Sequence, residues 1–216
     1  MVIPRRKFWA AESGAAMVEA AIVMPLLLTL LLGFVDFGYA FYQWNAADKA
    51  VQAGARLAQI SSPVASGLLL EARTPSNSLD VGKAVPANAL DSTTYNYICN
   101  ADGAGTVTCR CGANATCKDT TADPDAFNFI FSGGGGRAGM QTFLPMLEKS
   151  EVQIQYQASG LGYWTRPNGA VPTITVSIVG HQFQFFFLAG LLGFNNITMP
   201  SMLSTVTGED IKSTFP

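Results

Sequence analysis

Histidine is almost absent from this chain: His181 is the only one among 216 residues. With one imidazole, and no Ser or Cys in a recognisable nucleophile motif, the sequence offers no base for a covalent mechanism, and a lone His beside a strand reads as structural. Glu148 and Glu151 fall at a helix end without an evident pocket for acid–base work. Charge is scarce as well. The 13 Lys and Arg nearly balance 15 Asp and Glu, and a net charge of −2 leaves no phosphate-neutralising surface, so no nucleic acid partner is expected. Gly133–Gly136 is followed by Arg137 where a phosphate cradle would have Lys-Ser or Lys-Thr, so it reads as a flexible hinge. Asp119, Asp123 and Asp125 lack the ordered spacing and distal Glu of a calcium loop and read as solvated. No internal repeat is evident. The expectation is a protein that is not an enzyme and needs no cofactor and no metal.

What the chain does have is an apolar run, Ser13 to Gly38, long enough for the roughly 20 helical residues that cross a hydrocarbon core. One carboxylate, Glu19, lies deep inside it. An ionisable group at such depth costs a few kcal/mol unless a partner compensates, so Glu19 calls for a function. Arg5, Arg6 and Lys7 precede the run, and its far side opens with Asp36 and Asp48, which by the positive-inside bias puts the N-terminus in the cytoplasm. Beyond Val35 the helical period continues through Trp44, Ala47, Val51, Gly54 and Ala58, with Asp48, Gln52, Arg56 and Gln59 between them. One helix from about Phe8 to Ile60 is expected, with Pro25 kinking it locally. Ser61-Ser62-Pro63 breaks it and caps a short helix from Val64 to about Arg73.

Cys99, Cys109, Cys111 and Cys117 lie in one short segment, on the side expected to be oxidising. Their spacing lacks the paired Cys-x2-Cys of zinc ribbons, so two disulfides are expected. Tyr95–Asn100 and Thr106–Cys111 read as strands of a hairpin; if Asn100 pairs with Thr106, Cys99 reaches Cys109 diagonally and leaves Cys111 for Cys117. A Cys99–Cys111 bridge is the other possibility. Met140, Phe143, Leu144 and Leu147 have helical spacing up to Ser150, despite Pro145. Val152, Ile154 and Tyr156, then Ile174, Val176 and Ile178, alternate with polar residues as half-buried strands do, and Ile197–Thr207 is expected as a third strand whose start Pro200 pushes to an edge or a bulge. Between the last two strands, Phe183–Phe194 is strongly apolar but too short to span a bilayer; core, membrane interface and partner surface all remain open.

The fold class is therefore α+β: a long N-terminal transmembrane helix projecting into a small domain of helices on an antiparallel sheet, with a disulfide-bonded hairpin. The segments are a basic leader over 1–14, the transmembrane helix over 15–36, its amphipathic continuation over 37–60 and an extracytoplasmic domain over 61–216.

The N-terminal order of features, a basic leader, Gly14, then Ala15-Ala16-Met17-Val18-Glu19 and an apolar helix, resembles a class III prepilin signal. With Val18-Glu19 ahead of Pro25-Leu26-Leu27-Leu28, then Gly33-Phe34-Val35-Asp36-Phe37-Gly38 and Gly54-Ala55-Arg56, the first 60 or so residues resemble the TadE family of tight-adherence (Flp) pilus assembly proteins, within the type IV pilin superfamily. The resemblance implies cleavage by a prepilin peptidase between Gly14 and Ala15. It also implies a register role for Glu19, pairing with the new Ala15 amino group of a neighbouring subunit, and close helix approach through Ala15, Ala16, Ala20 and Ala21. Ala20 stands where the short Flp major pilins usually have an aromatic residue, and the chain is long, which implies a minor, pilin-like component. The implied partners are the inner membrane, the peptidase, other pilins or pseudopilins and tight-adherence assembly proteins. The implied location is the bacterial inner membrane, single-pass, with the C-terminal domain periplasmic or incorporated into a pilus. Two alternatives stay open: a domain secreted by signal peptidase cleavage after Gly38-Tyr39-Ala40, with Phe183–Phe194 as a ligand patch, and an uncleaved single-span envelope protein.

Overall fold

The helical period that begins in the apolar run is realised as one helix, α1, Glu12–Ile60. The computed structural model of the protein describes residues 12–72, 75, 77–86, 89–90, 94–193 and 196–211. Arg5, Arg6, Lys7 and the expected helix start at Phe8 lie outside the described residues. Pro25 sits inside α1, where it withdraws one backbone donor. One turn on, the Thr29 hydroxyl donates to the Pro25 carbonyl at 2.7 Å, the back-bonding open to a helical threonine.

The chain divides into two compact units. The first holds the residues up to Tyr42 together with Phe183–Ile197, and the second holds Gln43–Gln182 and the residues from Thr198 on.

In the first unit, α1 is exposed along nearly the whole apolar run, including Met17, Ile22, Met24, Leu26, Leu30 and Phe34. The helix between Gly14 and Ile60 is long and apolar enough to cross a membrane. The later excursion leaves the main sheet through β7, Gln182–Phe183, forms a short helix α4, Phe187–Leu192, and returns through β8, Ile197–Thr198, which pairs with β7. Gly193 closes α4 in the left-handed conformation, its N–H bonded to the Ala189 carbonyl. Phe194, the last residue of the expected patch, lies outside the described residues.

The second unit is built on a five-stranded antiparallel sheet. The strands β1 (Asn96–Ala101), β2 (Val107–Cys111), β5 (Val152–Leu161), β6 (Val171–Ile178) and β9 (Met202–Thr207) run in the order β2-β1-β5-β6-β9. Alternation sends Tyr97, Cys99, Val152, Ile154, Tyr156, Ile174 and Val176 into the core, where each fully buried apolar side chain contributes about 1.5–3 kcal/mol. The third expected strand is divided at Pro200: β8 ends at Thr198, and β9 starts at Met202 as the edge strand beside β6. A proline has no N–H for the ladder, so pairing resumes only beyond it.

The part of α1 in this unit turns Ala47, Ala50, Val51, Gly54, Ala55 and Ala58 inward, whereas Trp44, expected on that seam, is 43% exposed. Gly54 sets the packing distance. A Cβ there would lie 2.7 Å from Met140 Sδ and 3.1 Å from Val176 Cγ1.

Three expectations are corrected. The helix expected over Val64–Arg73 is a single 3-10 segment, Ser66–Leu70. The Met140–Ser150 helix shrinks to α3, Met140–Phe143, followed by a separate 3-10 turn at Lys149–Glu151, because Pro145 disfavours helical backbone at Leu144. The supposed hinge at Gly133–Gly136 is a tight hairpin between β3, Gly133–Gly134, and β4, Arg137–Ala138. Gly133 has a φ of 86°, and a Cβ on it would fall 2.2 Å from the Arg137 carbonyl, so the chain needs glycine at that crossing.

The Asp119–Asp125 stretch also gains structure. Asp123 caps α2, Pro124–Ser132, accepting from the N–H groups of Asp125 and Ala126 at 2.9 and 3.2 Å, with Pro124 in the first turn. Phe127, Phe129, Ile130 and Phe131 of α2 are buried. Asp119 takes the Thr121 hydroxyl at 2.7 Å and its N–H at 3.0 Å, and these bonds hold its carboxyl below the ordinary range.

Candidate functional site

The residues singled out near the N-terminus lie in the first turns of α1. Gly14, Ala15, Ala16, Glu19, Ala20 and Ala21 are all exposed on α1. Ala15 and Glu19 are four residues apart, so their side chains lie one above the other on one face. A Cβ at Gly14 would meet nothing within 4 Å. Glu19 has no hydrogen-bond or ion-pair partner among the described residues. The face with Ala15, Ala16, Glu19 and Ala20 has small residues beside a carboxylate, a surface that another helix carrying a cation can approach.

The carboxylate near the far end of the apolar run is placed quite differently. Asp36 is fully buried. Its Oδ1 accepts from Phe186 N–H at 3.3 Å and Phe187 N–H at 3.4 Å, and its Oδ2 from Phe187 at 3.0 Å and Leu188 at 2.8 Å. These are the otherwise unpaired donors at the start of α4, so Asp36 serves as a cap delivered from another helix. Aromatic rings close round it. Phe37 meets Phe185 edge-on with centroids 5.9 Å apart, and Tyr39 lies 5.3 Å from Phe186 and 6.2 Å from Phe183. The sequence marked Asp36 as a charge beyond the span; its role as a cap was not legible there.

The cysteines pair as Cys99–Cys109 and Cys111–Cys117, with Cα separations of 4.1 and 5.7 Å. The register differs from the one assumed. Asn100 faces Thr108, two residues beyond Thr106, so Cys99 and Cys109 are directly opposite rather than diagonal. Asp102 causes the shift by accepting from the N–H groups of Ala104 and Thr106 at 2.9 and 2.8 Å, which closes the loop one residue later than expected.

His181 is buried, with Nδ1 2.9 Å from both Glu151 carboxylate oxygens, and its carbonyl accepts the Met199 N–H at 2.8 Å. The pair ties the end of the central sheet to the turn before β5. A surface hollow of about 480 Å³ includes Asp102, Glu148 and Lys149, but each is already engaged: Asp102 in its loop, Glu148 in a capping box with Glu151, and Lys149 on Asn128 Oδ1 at 2.7 Å. Among the described residues no three His, Cys, Asp or Glu side chains cluster to hold a metal ion.

A buried tyrosine network stiffens the second unit. Tyr97 donates to Glu71 Oε1 at 2.8 Å and accepts the Lys118 N–H at 3.1 Å, while Tyr156 accepts the Val64 N–H at 3.1 Å. Burial, chiefly, raises the phenols of Tyr95, Tyr97 and Tyr156 well above their ordinary value; the Glu71 carboxylate adds to this at Tyr95 and Tyr97, and Asp123 at Tyr156.

Residues 14–56 match the family model described as TadE-like protein. That stretch contains Gly14, Glu19, Asp36 and the buried Gly54, the residues on which the resemblance was read. No curated protein and no solved structure matches the chain.

Proposed function

We propose that the chain is a minor, pilin-like component of a tight-adherence pilus assembly or secretion system, held in the bacterial inner membrane by α1. The TadE-like match supports association with such a pilus system and a structural rather than catalytic part in it. The observation that carries the finer reading is the spacing of Gly14 and Glu19 at the head of an exposed apolar helix. Prepilin peptidase cuts after Gly14, and the chain then begins with a charged amino group at Ala15. In a lipid environment the Glu19 carboxylate of one subunit pairs with the Ala15 ammonium of a neighbour, whether another pilin or another copy. Each charge offsets the other's desolvation, and the pair sets the axial register of the packed helices. The leader stays cytoplasmic and the disulfide-bonded domain folds in the periplasm, the compartment in which its bridges form.

The test is Glu19→Ala in cells that assemble tight-adherence pili. The variant should reach the membrane at the wild-type level and co-purify poorly with the assembly. Wild-type incorporation of Glu19→Ala would remove the register role and leave a simple anchor.

A further inference from the structure

The Phe183–Ile197 excursion contains no charged residue. Yet several of its side chains face outward: Phe186 is 60% exposed, and Phe187 and Ile197 are exposed beside it. On α1 in the same unit, Phe34 and Phe37 are exposed too. Between them an open cleft of about 400 Å³ is lined by Leu30, Gly33, Phe34, Phe37, Phe185, Leu188 and Ile197. All of these are apolar or lack a side chain, and they continue the exposed surface of the apolar run.

We propose that this excursion is an interfacial foot, seated in the headgroup–acyl boundary of the bilayer that α1 crosses, with the cleft taking lipid acyl chain. The proposal rests on the membrane-anchor reading and adds a second point of contact to it. Depth supports this: a hydrocarbon core of about 30 Å is crossed by roughly 20 residues of helix, which from Ala15 ends near Phe34. Asp36 and the excursion it caps therefore fall at the boundary. Tyr39 and Tyr42 follow on α1, aromatic residues of the kind that collect at that level.

Backbone chemistry supports it as well. A helix start entering a low-dielectric layer must have its N–H groups satisfied, and Asp36 satisfies those of Phe186, Phe187 and Leu188. The carboxylate in turn is held by three N–H groups at the positive end of a helix. The cap thus lets an uncharged, phenylalanine-rich turn leave water with the donors of Phe186, Phe187 and Leu188 satisfied.

The test places a photoreactive benzophenone amino acid singly at Leu30, Phe186 or Leu79 of the full chain in phosphatidylcholine nanodiscs. Leu79 is an exposed leucine of the second unit. Lipid adducts from Leu30 and Phe186 but not from Leu79 are expected. Adducts from Leu30 alone overturn the foot and leave the span standing; no adduct from Leu30 overturns both. Adducts to protein in place of lipid at Phe186 overturn the proposal in favour of a second copy or another partner. A measurement on the unsubstituted chain gives the same decision: lipid spin-labelled near the glycerol should broaden the Phe187 and Leu188 amide resonances, and broadening no greater than at Leu79 contradicts the proposal.

Discussion

Asp36 and Leu188 stand 152 positions apart in sequence, and the carboxylate of the first accepts the backbone N–H of the second at 2.8 Å. The bond joins a helix of the apolar run to a turn near the far end of the chain. Asp36→Ala leaves the donors of Phe186, Phe187 and Leu188 without an acceptor, at a cost of roughly 2 kcal/mol in local stability. Hydrogen exchange at those three amides should then speed up by about 30-fold. Asp36→Asn, which keeps an accepting oxygen, should lie between. Unchanged exchange in Asp36→Ala would show that the cap does not hold the excursion.

The two bridges contribute unequally. In the chain-entropy account, Cys99–Cys109 closes ten residues and is worth about 3 kcal/mol, and Cys111–Cys117 closes six and is worth about 2. Paired serine substitutions, followed by urea unfolding, should show both losses and the larger for Cys99/Cys109. Cys99 lies in the buried face between β2 and β5, opposite Ile154, so its replacement also disturbs packing. An equal or smaller loss for that pair would contradict the assignment.

Tyr95, Tyr97 and Tyr156 make stability fall in alkali. Their folded-state phenols titrate above the ordinary value near 10, so their contribution is fully present below that pH. It is lost as pH rises from about 10 toward their folded values, because the unfolded chain releases those protons first. Phenolate absorbance followed with circular dichroism should show these tyrosines ionising only as tertiary structure is lost. Smooth ionisation of all six tyrosines near pH 10, with the fold intact, would refute their burial.

The strands were legible in the sequence because Val152, Ile154 and Tyr156, and Ile174, Val176 and Ile178, alternate cleanly, and one buried face fixes their register. The long helix was legible from its period; Gly14 and Glu19 were singled out by the resemblance of their order and spacing to a prepilin signal, and their roles stay a proposal. What escaped depended on partners distant in sequence or on single backbone positions. Pro145 outweighed a good helical spacing from Met140 to Leu147. Asp123-Pro124-Asp125 carried a helix start, because the aspartate caps the N–H groups that follow the proline. Asp102 moved the hairpin register through bonds of its own side chain. The role of Asp36 could not be read at all, since its acceptors' partners are main-chain N–H groups some 150 residues on, and main-chain groups leave no mark on composition or period.

Processing is the point on which the pilin-like account stands or falls. Intact-mass and N-terminal analysis of the protein, purified from the membranes of cells with active prepilin peptidase, locates the first residue of the mature chain. The account predicts Ala15, four residues before Glu19; a mature chain that retains Met1 would contradict it.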